Sequence, residues 1–244
     1  PMGKTIADCA IVLDALWGKD EQDPATLACP DHFDFAGALN RGVEGFRIGV
    51  LTFDDAPQDE LENTILERAQ QILLQQGATL VPVSLPQSRL NNLPVLEHEF
   101  KNGINAWLGS VRGCTAIRTL DDLLAYNRRH AQTCLRYGQD LLESSNRTSG
   151  TLREADYLRQ RLALTRQTRT EGIDRLLKEY QLDSLMTVKI TGYAPIAAVC
   201  AQSPDQGTPC SVLFIATAWS EETLITAAHA LETKLCAHHA PIFQ

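Results

Sequence analysis

The chain is short of the features that most quickly assign a function. Its sequence holds no C-x-x-C, no H-E-x-x-H or H-x-H, no G-x-S-x-G, no phosphate-binding glycine loop and no G-x-G-x-x-G. The usual signatures of zinc, nucleophile-elbow, nucleotide and dinucleotide sites are therefore missing, and neither a metal nor a cofactor is expected. Basic residues are in deficit, with 22 Lys and Arg against 30 Asp and Glu for a net charge of −8. Nucleic acid and anionic membrane surfaces favour a basic face, so neither is an expected partner. No apolar run approaches the ~20 residues that cross a bilayer. The first residues show no basic n-region and no long h-region, although a shortened chain would have lost a signal peptide. Cys9, Cys29, Cys114, Cys134, Cys200, Cys210 and Cys236 are odd in number and widely spaced, against a disulfide framework or a zinc site. They read as reduced, mostly buried small hydrophobes, which suits a cytoplasmic protein.

What is present is enough for a core: 244 residues, 44% hydrophobic and 21% charged. The length allows one large domain or two small ones; the patterning is α/β, and the chain is taken as a single domain over residues 1–244 with a helical insertion at about 94–180. Thr5 opens a helix to Trp17 with Ile6, Ala10, Leu13, Leu16 and Trp17 on one face, and Gly18 stops it. Residues 46–51 read as a strand, 59–76 as a helix ended by Gly77, and 78–83 as a second strand. That is a strand–helix–strand unit, which implies a parallel pair. The middle is helical: Pro94–Leu108 with a stripe of Leu96, Phe100, Ile104 and Trp107, then a helix capped at Thr119, then 133–145. A segment at 151–180 opens with Thr151-x-x-Glu154, a capping-box pattern, and its dense arginines read as a solvated face. Strands are expected again at 182–188 and 210–216, and Ser220 as the N-cap of a helix at 221–235.

Few residues are placed for chemistry. Glu97 and Glu99 flank His98 on a helix, where sequence neighbours point apart. His238-His239, near the end of the chain, reads as exposed. Ser144-Ser145 closes a helix with no glycine flank and reads as helix-terminal. Gly3-Lys4-Thr5 lacks the glycines of a phosphate loop.

Five stretches in order resemble the amidase signature family. They are Pro1-Met2-x-x-Thr5-x-Ala7-Asp8 with Leu13-Asp14; Val43-Glu44-Gly45-Phe46-Arg47-Ile48-Gly49-Val50; and Leu96-Glu97-His98-Glu99-Phe100-Lys101 with Ile104-Asn105-Ala106-Trp107-Leu108. Arg118-Thr119-Leu120-Asp121-Asp122-Leu123 with Tyr126-Asn127 and Tyr137-Gly138-Gln139-Asp140 follow, then Trp219-Ser220-Glu221 with the closing Ala240-Pro241-Ile242-Phe243. The resemblance spans nearly the whole chain. It implies a mixed β-sheet covered by α-helices, and amide hydrolysis by acyl transfer through a serine, without metal or cofactor. In such chemistry a lysine and a bridging serine take the nucleophile's proton and backbone N–H groups hold the oxyanion.

The opening segment resembles the part of the family just after its catalytic serine loop. The resemblance therefore implies a C-terminal portion whose catalytic serines and lysine lie upstream. Neither Ser144-Ser145 nor Lys4 matches them, and no catalytic residue is carried over. The expected partners are the N-terminal catalytic half of the same fold and, in the intact enzyme, a small-molecule amide. The family's pocket loop corresponds to Thr187–Tyr193 here, shortened, so Thr187, Gly192 and Tyr193 are its implied substrate-binding residues. Two departures stand out. Met186-Thr187-Val188 replaces a Pro-Thr pair, and Ala197–Ala201 runs so directly into Gln202–Pro209 that a strand and turn are missing. Residues 210–216 are then expected to show an unpaired edge. An exposed apolar patch is expected along Ile6, Ala10, Leu13 and that strand, and the chain alone is expected to be inactive. The alternatives are a non-catalytic binding protein on the same scaffold and a relative of the glutamyl-tRNA amidotransferase A subunit.

Overall fold

The computed structural model describes residues 1–54, 58–85, 92–111, 113, 115–188, 196–202 and 209–237. The chain begins with α1 (Ile6–Leu16), α2 (Phe35–Ala38), β1 (Arg47–Phe53), α3 (Glu60–Gln75) and β2 (Thr79–Leu85). It continues through α4 (Leu93–Ser110), α5 (Leu120–Arg129), α6 (Ala131–Cys134), α7 (Asp140–Asn146) and α8 (Ala155–Thr165). It returns to α9 (Asp174–Glu179), β3 (Ser184–Thr187), β4 (Ile196–Gln202), β5 (Pro209–Ile215) and α10 (Glu221–Leu235). Two compact units result, one from residues 1–87 with 168–244 and the other from 88–167.

The first unit is built on a mixed five-stranded sheet in the order β2-β1-β3-β5-β4. β1 and β2 are parallel, in register from Arg47 opposite Thr79 to Phe53 opposite Leu85, as the strand–helix–strand pattern predicts. β3 is parallel to β1, and β5 is antiparallel to both β3 and β4. The expected unpaired edge at 210–216 is not there. β5 lies between β3 and β4, and β4 pairs with it from Ile196–Ile215 to Gln202–Pro209. The strand that the spacing left out is Ile196–Gln202 itself, whose short alanine-rich run carries no alternation to mark it. Pro82 sits exposed in β2, an edge strand, where a missing N–H leaves no ladder bond undone.

Side-chain alternation along the strands makes two cores. Ile48, Val50, Met186, Val212 and Phe214 face a layer formed by α1, α2, α3 and α10, with Phe35, Ala69, Leu73, Ala228 and Leu231 fully buried. Leu51, Leu185 and Ile215 face the other way, onto Ile173, Leu176, Leu177 and Leu182. Gly49 lies on that second face. A Cβ there would come within 2.6 Å of both Leu182 Cδ1 and Leu185 Cδ2, so glycine is what allows the strand to lie this close.

Local capping places the helices of this unit. Thr5 Oγ accepts the Asp8 N–H while the Asp8 carboxylate accepts the Thr5 N–H, and Asp59 and Glu62 make the same reciprocal cap on α3. Both satisfy donors that a helix start leaves open. Two acids of α10 reach further along the chain. Glu232 accepts the Ile6 N–H through both oxygens, at 3.1 and 3.0 Å, and Glu222 accepts the Asp34 N–H at 2.6 Å and pairs with Arg41. Ser220 precedes α10 but makes no capping bond; its hydroxyl meets that of Thr217 at 3.2 Å.

In the helical unit, α4 packs on α7, α8 and α5. Its predicted apolar stripe points outward: Leu96, Phe100 and Trp107 are 52%, 41% and 59% exposed. The inward face is instead largely polar, with Val95 and Leu108 its buried apolar residues. Glu97 accepts from Ser144, Glu99 from the Tyr157 hydroxyl at 2.9 Å, and Asn105 from the Leu120 N–H at 2.8 Å. Lys101 Nζ donates to the carbonyls of Asn146 and Thr148 at 2.6 and 2.7 Å, and Asn102 to that of Gly150 at 2.8 Å. These bonds satisfy the carbonyls of a helix end and of the turn after it. The helix expected from 133 to 145 is interrupted between Cys134 and Asp140. The one expected from 151 begins at Ala155, because Glu154 turns back to the N–H groups of Ser149 and Arg153. Residues 166–173 form a wide π-helical turn broken by Gly172, at φ −99° and ψ −115°.

Candidate functional site

Open sheets with parallel strands bind ligands beyond the carboxyl ends of those strands. Here β1, β2 and β3 run the same way, and β4 joins them because both it and β3 oppose β5. Phe53, Leu85 and Thr187 mark that rim. Thr187 is fully buried, stands opposite Leu213, and shares the face of Leu185 two residues earlier. It is thus the described member of the predicted substrate-binding set, at the carboxyl end of β3. Gly192 and Tyr193 lie outside the described residues. At the opposite end of β3 the Ser184 hydroxyl is also fully buried and has no hydrogen-bond partner among the described residues.

Ser144, Ser145 and Lys101 come close to mimicking a paired-serine and lysine site, and the bonding shows why they are not one. Ser145 Oγ donates to the Leu141 carbonyl at 2.7 Å, and Ser144 Oγ to Leu141 and Glu97. The lysine is spent on two backbone carbonyls. A paired-serine and lysine site needs the lysine within reach of a hydroxyl as base; Lys101 is bonded to neither serine hydroxyl, and only Ser144 meets a carboxylate, that of Glu97. The helix-terminal reading of Ser144-Ser145 therefore holds. Lys4 lines a cavity of about 230 Å³ with Thr5, Val199, Glu232, Leu235, Cys236 and Ala237.

A second polar cluster lies in the helical unit. His98 stacks on Tyr157 with ring centroids 5.3 Å apart, and its Nε2 is 3.7 Å from Glu154. Burial, followed by the Glu99 carboxylate that accepts its hydroxyl, raises the Tyr157 pKa. Hydrogen bonding from Ser149 leads the effects that hold Glu154 down at about 2. Glu97, His98 and Glu99 reach three different partners, as their spacing predicts. Every member of the cluster is engaged in holding α4, α7 and α8 together. The sequence carried the signal in the Glu97–Lys101 motif, but not the partners in the 146–157 segment.

The five described cysteine side chains are less buried than expected, and Cys114 and the Cys200 side chain lie outside the described set. Cys29 is buried, Cys9 and Cys210 are half-buried, and Cys134 and Cys236 are exposed. Among the described residues no group of His, Cys, Asp and Glu is arranged to hold a metal, and no helix is long and apolar enough to cross a membrane. His238 and His239 lie outside the described residues. The predicted apolar patch is also on the wrong side of α1. Ile6 and Ala10 are buried and Leu13 packs against the core, whereas Ile11, Val12 and Leu16 are 63%, 43% and 70% exposed. Residues 212–216 are buried.

The amidase family model matches residues 1–180. A probable amidase of Arabidopsis thaliana is 26% identical over 258 residues, covering 100% of this chain and 49% of its own length. The A subunit of the glutamyl-tRNA(Gln) amidotransferase of Gluconobacter oxydans is 26% identical over 278 residues, covering 99% of the chain and 54% of the relative. Among solved structures, native peptide amidase from Stenotrophomonas maltophilia superposes with a TM-score of 0.86 at 33% identity, covering 100% of this chain and 54% of that one. The chain spans about half the length of the relatives it matches.

Proposed function

The chain belongs to the amidase family, and from that membership we propose that it is one part of a serine-dependent hydrolase acting on a small carboxylic amide. The nucleophilic serine, its bridging serine and the lysine belong to the portion of the fold that these residues do not cover, upstream of Pro1. This chain supplies the sheet, the pocket rim at Thr187 with Gly192 and Tyr193, and the helical unit. The observation that supports this reading most is the partial coverage: all of this chain superposes on about half of a peptide amidase at a TM-score of 0.86. The amidotransferase reading rests on A subunits 26% identical over 278 residues and 38% identical over 89, and gains nothing from the site geometry. The exposed thiols of Cys134 and Cys236 favour a reducing, cytoplasmic setting.

The test is release of ammonia from simple aliphatic and aryl amides, read beside labelling by a serine-directed fluorophosphonate. The chain alone is expected to give neither signal. Turnover by the purified chain, abolished by replacing one of its own serines, overturns the proposal.

A further inference from the structure

Helix α4 is amphipathic the wrong way round. Its charged residues Glu97, Glu99 and Lys101 are bonded within the helical unit, and none of its exposed residues is charged. The exposed set includes Leu93, Leu96, Phe100, Gly103, Trp107 and Ser110. These recur alternately three and four places apart, which is the spacing of a seam between two paired helices. Gly103 narrows the reading. A glycine inside a helix destabilises it relative to alanine, and nothing within the chain asks for one here. Among the described residues, a Cβ at Gly103 would meet nothing within 4 Å beyond the helix's own backbone. The gap it leaves lies in the middle of the seam, between Phe100 and Trp107.

We propose that the outward face of α4 is a contact between two copies of this chain, which pair their α4 helices antiparallel about a two-fold axis. With the helices fully overlapped, the axis passes between Phe100 and Gly103. Each Phe100 ring then enters the gap at the other copy's Gly103, each Leu96 meets a Trp107, and each Leu93 meets a Ser110. A two-fold contact requires one surface to fit itself, and this alternation of bulky and small residues does so. Charge selects the same occupant. A chain of net charge −8 repels its copies over most of its surface, whereas this face can meet itself without bringing like charges together. Eighteen residues make a helix about 27 Å long and roughly 10–12 Å across. That is a face on the order of 300 Å² per copy, against ~800 Å² for a standard contact. The pairing is therefore weak and reversible, with a dissociation constant on the order of 10–100 μM. The contact involves the helical unit alone and stands whether or not the amide chemistry does.

The test is sedimentation velocity of the 244-residue chain over roughly 1–200 μM. A monomer is expected at the low end and a growing dimer at the high end, with amide exchange in the peptide spanning 93–110 slowing as concentration rises. Phe100→Glu should weaken pairing at least about tenfold, since it removes an apolar contact and brings two like charges to the axis. Gly103→Leu is the more discriminating variant. It favours the helix and adds apolar surface, yet it fills the gap, so pairing should again weaken at least about tenfold. Ile11→Glu, at an exposed apolar position of α1, should leave pairing unchanged. Circular dichroism of all three variants should match the parent, because the three positions are exposed. A chain that stays monomeric throughout, association that Gly103→Leu strengthens, or association that Ile11→Glu removes overturns the proposal.

Discussion

The carboxylate of Glu154 is met by the N–H groups of Ser149 and Arg153 and held down at about 2 from an ordinary 4.5, with hydrogen bonding from Ser149 the leading cause. Glu221 is shifted the other way, because burial raises it and its Oε2 has no partner among the described residues. The consequences have opposite signs. A depressed carboxyl contributes stability that is complete above 4.5 and lost as pH falls through about 2. A raised carboxyl weakens the fold progressively as pH climbs above its ordinary 4.5, and the loss is complete above its folded value. Glu154→Gln should therefore lower the urea midpoint at neutral pH, with the gap to the parent closing on acidification, while Glu221→Gln should raise it. A Glu154→Gln deficit that stays constant down to pH 2 refutes the ionic account. At this scale the sequence was readable where an argument needed only spacing, as for Glu97 and Glu99. It was opaque where a side chain answers a distant backbone, as Lys101 does at Asn146 and Thr148.

At the level of elements, the strand–helix–strand unit and the caps at Thr5 and Thr119 were legible because their partners lie within a few residues. α4 and β4 were not. The apolar residues of α4 repeat at helical spacing, but periodicity states that a face is apolar without saying what covers it. The face turned to α7 and α8 is the polar one, since it has helix-end carbonyls to satisfy. β4 was missed because five of its seven residues are alanine, cysteine or glutamine, which have little strand preference, and pairing with β5 decides the matter. The start of α1 makes a prediction at the same scale. Both oxygens of Glu232 take the Ile6 N–H, a charge-assisted bond at a helix N-terminus. Glu232→Ala should cost about 1.5–3 kcal/mol, measured by urea unfolding, and speed amide exchange in the first turn of α1. A loss confined to exchange, with no change in stability, means the bond is local to a fraying end.

For the molecule as a whole, the fold class and the family were readable from motifs strung in order along the chain, and the position of Thr187 at a strand end followed from the same register. Ile6, Ala10 and Leu13 were legible as one face of α1, but that face was expected to be exposed and is the buried one, since a helix apolar on both sides offers no contrast from which to choose. The division into two units has a practical consequence through the three tryptophans. Trp17 sits among Phe33, Phe35 and Trp219, its ring 5.7 Å from that of Trp219 at an interplanar angle of 87°, and both tryptophans lie in the sheet unit. Trp107 lies in the helical unit and faces solvent. Trp107→Phe should remove the long-wavelength component of fluorescence emission and leave the near-ultraviolet dichroism of the Trp17–Trp219 pair intact; an unmoved emission maximum contradicts the outward placement of Trp107. Each unit thus carries its own native optical signal, and the melting of one is observable against the other without a label.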